Sequence, residues 1–217
     1  MKKLLVSLMI PLFLAGCDSK PQNNARAVYL LVDTSGTYTQ ELDKAQAIMN
    51  YLLAALDSGD SIAIAKIDSG SFTEKDIIAK STFDSKPSTT NAQKRAFKEK
   101  VDHFVASTTK GSANTDISGG VLQATEYLTE TGAGEKYIMI FSDLEEDLPE
   151  GWIRDFVIPM ENIKVIALNV TKLRSDNVDP REYQNRLAAW QKRVDEGGGE
   201  WRVVNDLERL ETLIAMR

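Results

Sequence analysis

Apolar residues in this chain fall into short unbroken runs, separated by stretches with helical spacing. The first run is 27–32, Ala-Val-Tyr-Leu-Leu-Val. It shows no polar alternation, as expected of a strand covered on both faces. Leu42, Ala45, Met49, Leu52 and Leu56 then recur at helical intervals and predict an amphipathic helix. Residues 57–60, Asp-Ser-Gly-Asp, supply turn chemistry. Residues 61–68 form a second strand, and a short strand-like run over 76–83 follows after a polar turn. The gap between them is too small for a crossover helix. The run should therefore pair antiparallel at the sheet edge, where Lys80 fits.

The same alternation continues. Residues 91–106 read as a helix with Phe97, Val101 and Phe104 on one face. The segment Thr115-Asp116-Ile117-Ser118 opens another, carrying Val121, Ala124 and Leu128 and closed by the turn at 131–134. A wholly apolar strand core at 137–141 ends in Ser142-Asp143. An acidic loop over 144–149, a short helix over 152–160 and a strand over 163–170 are expected next. Pro180 suits the start of a helix whose stripe is Tyr183, Leu187, Trp190 and Val194; Gly197-Gly198-Gly199 stops it. A last strand at 201–204 and a helix over 207–215, capped by Asp206, complete the pattern. The prediction is an α/β fold: a Rossmann-like, mostly parallel sheet with one antiparallel edge strand and helices on both faces.

The first residues stand apart. Met1-Lys2-Lys3 is basic, and the apolar segment over 4–14 is too short to cross a bilayer core, which needs about 20 helical residues. It reads as an export signal. Leu14-Ala15-Gly16-Cys17 resembles the lipobox of bacterial lipoproteins. That resemblance implies cleavage before Cys17, acylation of Cys17 (palmitate among the chains) and anchoring in a membrane. Asp18 resembles the signal that keeps such lipoproteins at the periplasmic face of the inner membrane. The expected organisation is a signal peptide over 1–16, a lipidated cysteine and polar tether over 17–25, and one domain over 26–217. The eight-residue polar stretch 18–25 reaches at most about 26 Å.

Composition narrows the chemistry. The net charge of −6 argues against nucleic acid, which calls for a basic patch. One cysteine and one histidine, Cys17 and His103, exclude an intrachain disulfide and a Cys/His zinc site. His103 and the cluster Lys94-Arg95-Lys98-Lys100 read as a solvated helix face, and Glu145-Glu146-Asp147 as a solvated acidic loop or a cation attractor.

Three segments do carry chemistry. Asp33-Thr34-Ser35-Gly36-Thr37 follows the first strand, Thr115 stands where a helix begins, and Asp143 follows another strand. Loops at strand carboxyl ends meet at one edge of such a sheet. Two carboxylates and three hydroxyls form a hard all-oxygen set suited to Mg²⁺, with Mn²⁺ or Ca²⁺ as alternatives. Singly, each segment also fits a cap or a strand end.

The set resembles the von Willebrand factor A domain with its metal-ion-dependent adhesion site, whose pattern is Asp-x-Ser-x-Ser, then Thr, then Asp. Asp33, Ser35, Thr115 and Asp143 match; Thr37 replaces a serine, and Leu144 stands where glycine is common. The resemblance implies Ser35, Thr37 and Thr115 as direct ligands, with Asp33 and Asp143 acting directly or through water. It also implies a protein partner that could supply a carboxylate, and no enzymatic activity. One rival is a haloacid-dehalogenase-type phosphatase, because Asp33-Thr34-Ser35-Gly36-Thr37 is similar to that family's phosphorylation motif. Asp33 would then be the nucleophile. The other rival is a scaffold that binds partners without metal.

Overall fold

Strand β1, Arg26–Asp33, has all eight residues buried. Its side chains alternate between two apolar layers, as period-two geometry requires. Val28, Leu30 and Val32 face one core, while Ala27, Tyr29 and Leu31 face the other. The computed structural model describes residues 23–36, 41–173 and 175–205. The segment expected to be an export signal, with Cys17 and Asp18, the candidate ligand Thr37 and the helix expected over 207–215 lie outside the described residues.

Six strands form one sheet in the order β3-β2-β1-β4-β5-β6. They are β1, β2 (Ser61–Ile67), β3 (Ile77–Thr82), β4 (Glu135–Phe141), β5 (Ile163–Leu168) and β6 (Glu200–Val204). All pairings are parallel except β2 with β3, an antiparallel hairpin at the edge. The predicted fold class is the observed one. Helices α1 (Leu42–Ala55) and α2 (Pro87–Ser107) cover one face. Helices α3 (Ile117–Glu130) and α4 (Pro180–Glu196) cover the other.

This order places the topological switch between β1 and β4. The chain leaves β1 toward β2 and leaves β4 toward β5, so the two loops part above a crevice. In open α/β sheets that crevice is where ligands bind.

Two elements differ from the sequence reading. No helix forms over 152–160. Pro159 disfavours helical geometry at Ile158, and burial alternates there: Ile158 and Met160 point inward with Pro159 exposed between them. Arg154 turns inward to pair with Asp116, and Ile153 and Val157 are left exposed. Helix α2 begins at Pro87, four residues before the expected start, because proline is pre-set for a first helical position.

The opposite edge of the sheet is fixed by a buried ion pair. Arg26 Nη2 lies 2.7 Å from Asp60 Oδ2, with both residues at most 5% exposed. Asp60 also accepts the Arg26 and Asp57 amides, each at 2.8 Å. Asp60→Ala would remove the buried counter-charge of the Arg26 guanidinium, whose other carboxylate neighbour, Asp57, lies at 3.5 Å and is exposed. It should destabilise the protein by about 3–5 kcal/mol, read as a shift in the urea midpoint at constant slope.

Candidate functional site

The register of β1 and β4 builds the centre of the crevice. Val32 pairs with Phe141, which sets Asp33 beside Ser142. The Ser142 hydroxyl donates to Asp33 Oδ2 at 2.7 Å, and the Ser35 amide donates to Oδ1 at 2.8 Å. Asp33 is fully buried, at 0% exposure. A carboxylate so enclosed persists only when its oxygens are satisfied.

The three expected segments are tied pairwise into a closed ring. Asp33 and Ser142 join the loops after β1 and β4. The Ser112 amide donates to the Thr34 carbonyl at 2.9 Å, joining the β1 loop to the segment before α3. Thr115 and Asp147 exchange backbone hydrogen bonds of 2.7 and 3.0 Å, joining that segment to the β4 loop. Gly111 allows the closest of these approaches: a Cβ there would sit 2.8 Å from the Gly36 nitrogen. The structure thus brings together Asp33, Ser35, Thr115 and Asp143; Thr37 lies outside the described residues.

Around the ring, several groups that sequence reasoning did not single out hold the loops. Thr34 Oγ1 donates to the Ile67 carbonyl. Asp68, after β2, accepts the Ser112 hydroxyl at 2.6 Å and pairs with Lys66. Burial pushes the Asp68 carboxyl up, but hydrogen bonds from Lys66, Ser112 and the Ser69 amide outweigh it and hold the group at about 2. Asp116, not Thr115, caps α3, accepting the Gly119 amide at 2.8 Å and a forked pair of bonds from Arg154. Gly119 is needed there, since a Cβ would meet the Asp116 carboxylate at 2.5 Å.

The β4 loop is clamped from α4. Arg186 Nε donates to the Asp143 carbonyl at 2.9 Å, and Trp190 Nε1 donates to the Leu144 carbonyl at 3.0 Å. Leu144 adopts φ 67, the left-handed conformation that glycine would take without strain. Its side chain is buried at 1% exposure, so packing offsets a backbone cost of about 1–2 kcal/mol. Glu146 is neither a solvated charge nor free to draw in a cation. It accepts the Ser118 amide and hydroxyl and pairs with Arg193.

The donor set suits a hard divalent ion. Asp143 is 6% exposed, and only its Oδ1 takes a hydrogen bond among the described residues, from the Glu145 amide. Burial pushes its carboxyl up to about 6; the charges of Asp33 and Glu145 add to the rise, while the Glu145 amide and Arg186 oppose it. The Ser35 and Thr115 hydroxyls take part in no hydrogen bond among the described residues. Among those residues no group of three His, Cys, Asp or Glu side chains is arranged to hold a metal. An ion here would depend on the mixed carboxylate and hydroxyl set.

No protein-family model matches the chain, and no curated protein matches it in sequence. Solved structures do match. A von Willebrand factor type A protein from Catenulispora acidiphila superposes with a TM-score of 0.53 at 15% identity, covering 89% of this chain and 41% of that one. This chain therefore spans about two fifths of that protein's length. An aerotolerance-related membrane protein from Bacteroides fragilis gives 0.52 at 15% identity, covering 88% and 96%. The fold is that of von Willebrand factor A domains.

The raised Asp143 carboxyl has a defined sign. A carboxyl whose folded pKa lies above its unfolded value of about 3.9 contributes stability at low pH that is lost as pH rises through about 6. In EDTA, the protein should lose about 1–3 kcal/mol from this group between pH 4 and 7. Asp143→Asn should remove that slope in urea unfolding series at the two pH values.

Proposed function

We propose that this chain is an exported, lipid-anchored protein whose domain binds a protein partner through a divalent metal ion, Mg²⁺ first among candidates. The observation that carries the reading is the closed ring of three loops around two adjacent buried carboxylates, with two hydroxyls beside them that take part in no hydrogen bond among the described residues. Ser35, Thr37 and Thr115 would hold the ion, with Asp33 and Asp143 as direct or water-bridged partners. The hydroxyl ligands are neutral, so the bound ion would keep enough charge to attract a carboxylate from the partner. The chain's own residues contribute a preset platform: Arg186 and Trp190 fix the Asp143 loop, and Ser142 fixes Asp33.

The rival phosphatase reading draws no support from the geometry. Both oxygens of Asp33 are engaged and the residue has no exposed surface, which disfavours attack on a substrate phosphorus. Thr115 follows a loop after α2 rather than a strand, unlike the second motif of that family.

The proposed anchor gives the domain a direction. The chain enters at the start of β1, where Ala25 accepts the Gly134 and Glu135 amides. Asp33 lies at the other end of the strand, roughly 23 Å away at ~3.3 Å per residue. With Cys17 acylated and Asp18 retaining it at the inner membrane, the ring faces the periplasm rather than the lipid. Among the described residues no helix is long and apolar enough to cross a membrane.

The test is a crosslinking pull-down with the full chain. Wild type should capture a partner in magnesium and lose it in EDTA. Thr115→Ala, which removes one hydroxyl that forms no hydrogen bond among the described residues, should reduce capture at least fivefold while leaving the melting temperature in EDTA unchanged. Asp33→Ala should abolish capture. Equal capture in EDTA and in Thr115→Ala would contradict the metal-bridged reading.

A further inference from the structure

Beside the ring, a second concavity of about 820 Å³ opens between the end of α2, the β2–β3 hairpin and the loop before α3. Its volume falls within the usual range of ligand sites. Its charge is opposite to that of the protein. Lys66, Lys75, Lys100 and Lys110 line it together with His103, in a chain of net charge −6.

The negative groups within reach are already engaged. Asp68, the one acidic residue of the lining, holds Lys66, the Ser69 amide and the Ser112 hydroxyl. The carboxyl end of α2 would also repel an anion. There, however, the Phe104 carbonyl accepts the Thr108 amide and the hydroxyls of Ser107 and Thr108. Lys75, Lys100 and Lys110 are exposed and form no ion pair among the described residues. Of the other exposed lysines, Lys44, Lys80, Lys98 and Lys192 each have an acidic partner, whereas Lys86 and Lys172, which stand apart from the groove, form no ion pair among the described residues.

We propose that this groove binds an extended acidic peptide segment of a protein partner. The three unpaired ammonium groups sit on three separate elements: the short 3-10 turn Glu74–Asp76, α2 and the loop before α3. Such spacing suits carboxylates distributed along a chain better than a single phosphate. The lining contains no arginine, the residue whose fork matches phosphate in two bonds. Ile78 and Phe104, both half-buried, offer apolar surface for side chains between the acidic ones. Among the described residues, none of the candidate metal ligands (Asp33, Ser35, Thr115 and Asp143) lines the groove, so this site stands or falls apart from the metal reading. The shared wall at Thr34 and Ser112 would let one partner contact both.

The probe is a fluorescein-labelled pool of octapeptides alternating Glu or Asp with Leu, Val or Phe, titrated by polarisation into the detergent-solubilised full chain. A pool with Lys at the acidic positions is the control. Saturable binding of the acidic pool, weakening severalfold between 50 and 200 mM salt and unchanged in EDTA, is the result expected. The double variant Lys100→Glu/Lys110→Glu should lose at least tenfold in affinity, and Lys192→Glu on the far helix should lose none. Both alter exposed side chains, and an unchanged melting temperature checks the fold. No saturable binding, equal affinity in the double variant, loss in EDTA, or displacement by millimolar inorganic phosphate would each overturn the proposal.

Discussion

The fully buried carboxylate of Asp33, at the end of the central strand, is the constraint from which the surrounding architecture follows. Burying an ionised group is tolerated only when its oxygens are satisfied by fixed donors. Here one donor is a side chain from the neighbouring strand's loop and the other is an amide two residues along its own loop. The Ser142 contact requires the β1–β4 register, and that register is set by apolar side chains on the two faces of the sheet. Hydrophobic packing thereby determines where the polar loops meet.

The same logic spreads outward through the crevice. Asp143 sits next to Asp33 under partial desolvation, and its loop is held by two carbonyl contacts from α4. The segment before α3 is held from below by Asp68 and Asp116 and from the sides by Thr34 and Asp147. Each tie is modest alone, since a typical hydrogen bond contributes about 1 kcal/mol net. Together they position loops from four parts of the chain. The basic groove is a by-product of this arrangement: Asp68 is engaged by Lys66 and by the loop it holds, so Lys75, Lys100 and Lys110 form no ion pair among the described residues.

The fold was legible in the sequence because its signals are local. Unbroken apolar runs marked the buried parallel strands, the short gap before residue 76 marked the edge hairpin, and Pro180 and Gly197 marked the bounds of α4. The order of Asp33, Thr115 and Asp143 marked the loops that meet at the candidate site. What escaped was set by contacts distant in sequence. Residues 152–160 have helix-like spacing, but Arg154 is drawn inward by Asp116, 38 residues earlier. Thr115 and Asp116 are equally good caps by type, and only packing against Arg154 and Ser71 selects Asp116. Leu144 looks wrong for a left-handed turn until its burial and the Trp190 bond are seen. Glu146 reads as a free charge until Ser118 and Arg193 are placed beside it.

The central claim is that these loops form a preset site for a divalent ion. Isothermal calorimetry of magnesium, and of manganese as a second ion, into the full chain tests it most directly. The account predicts one saturable site per chain in wild type, at least tenfold weaker in Thr115→Ala and absent in Asp143→Ala. Absence of metal heat in wild type, or equal affinity in both variants, would contradict it.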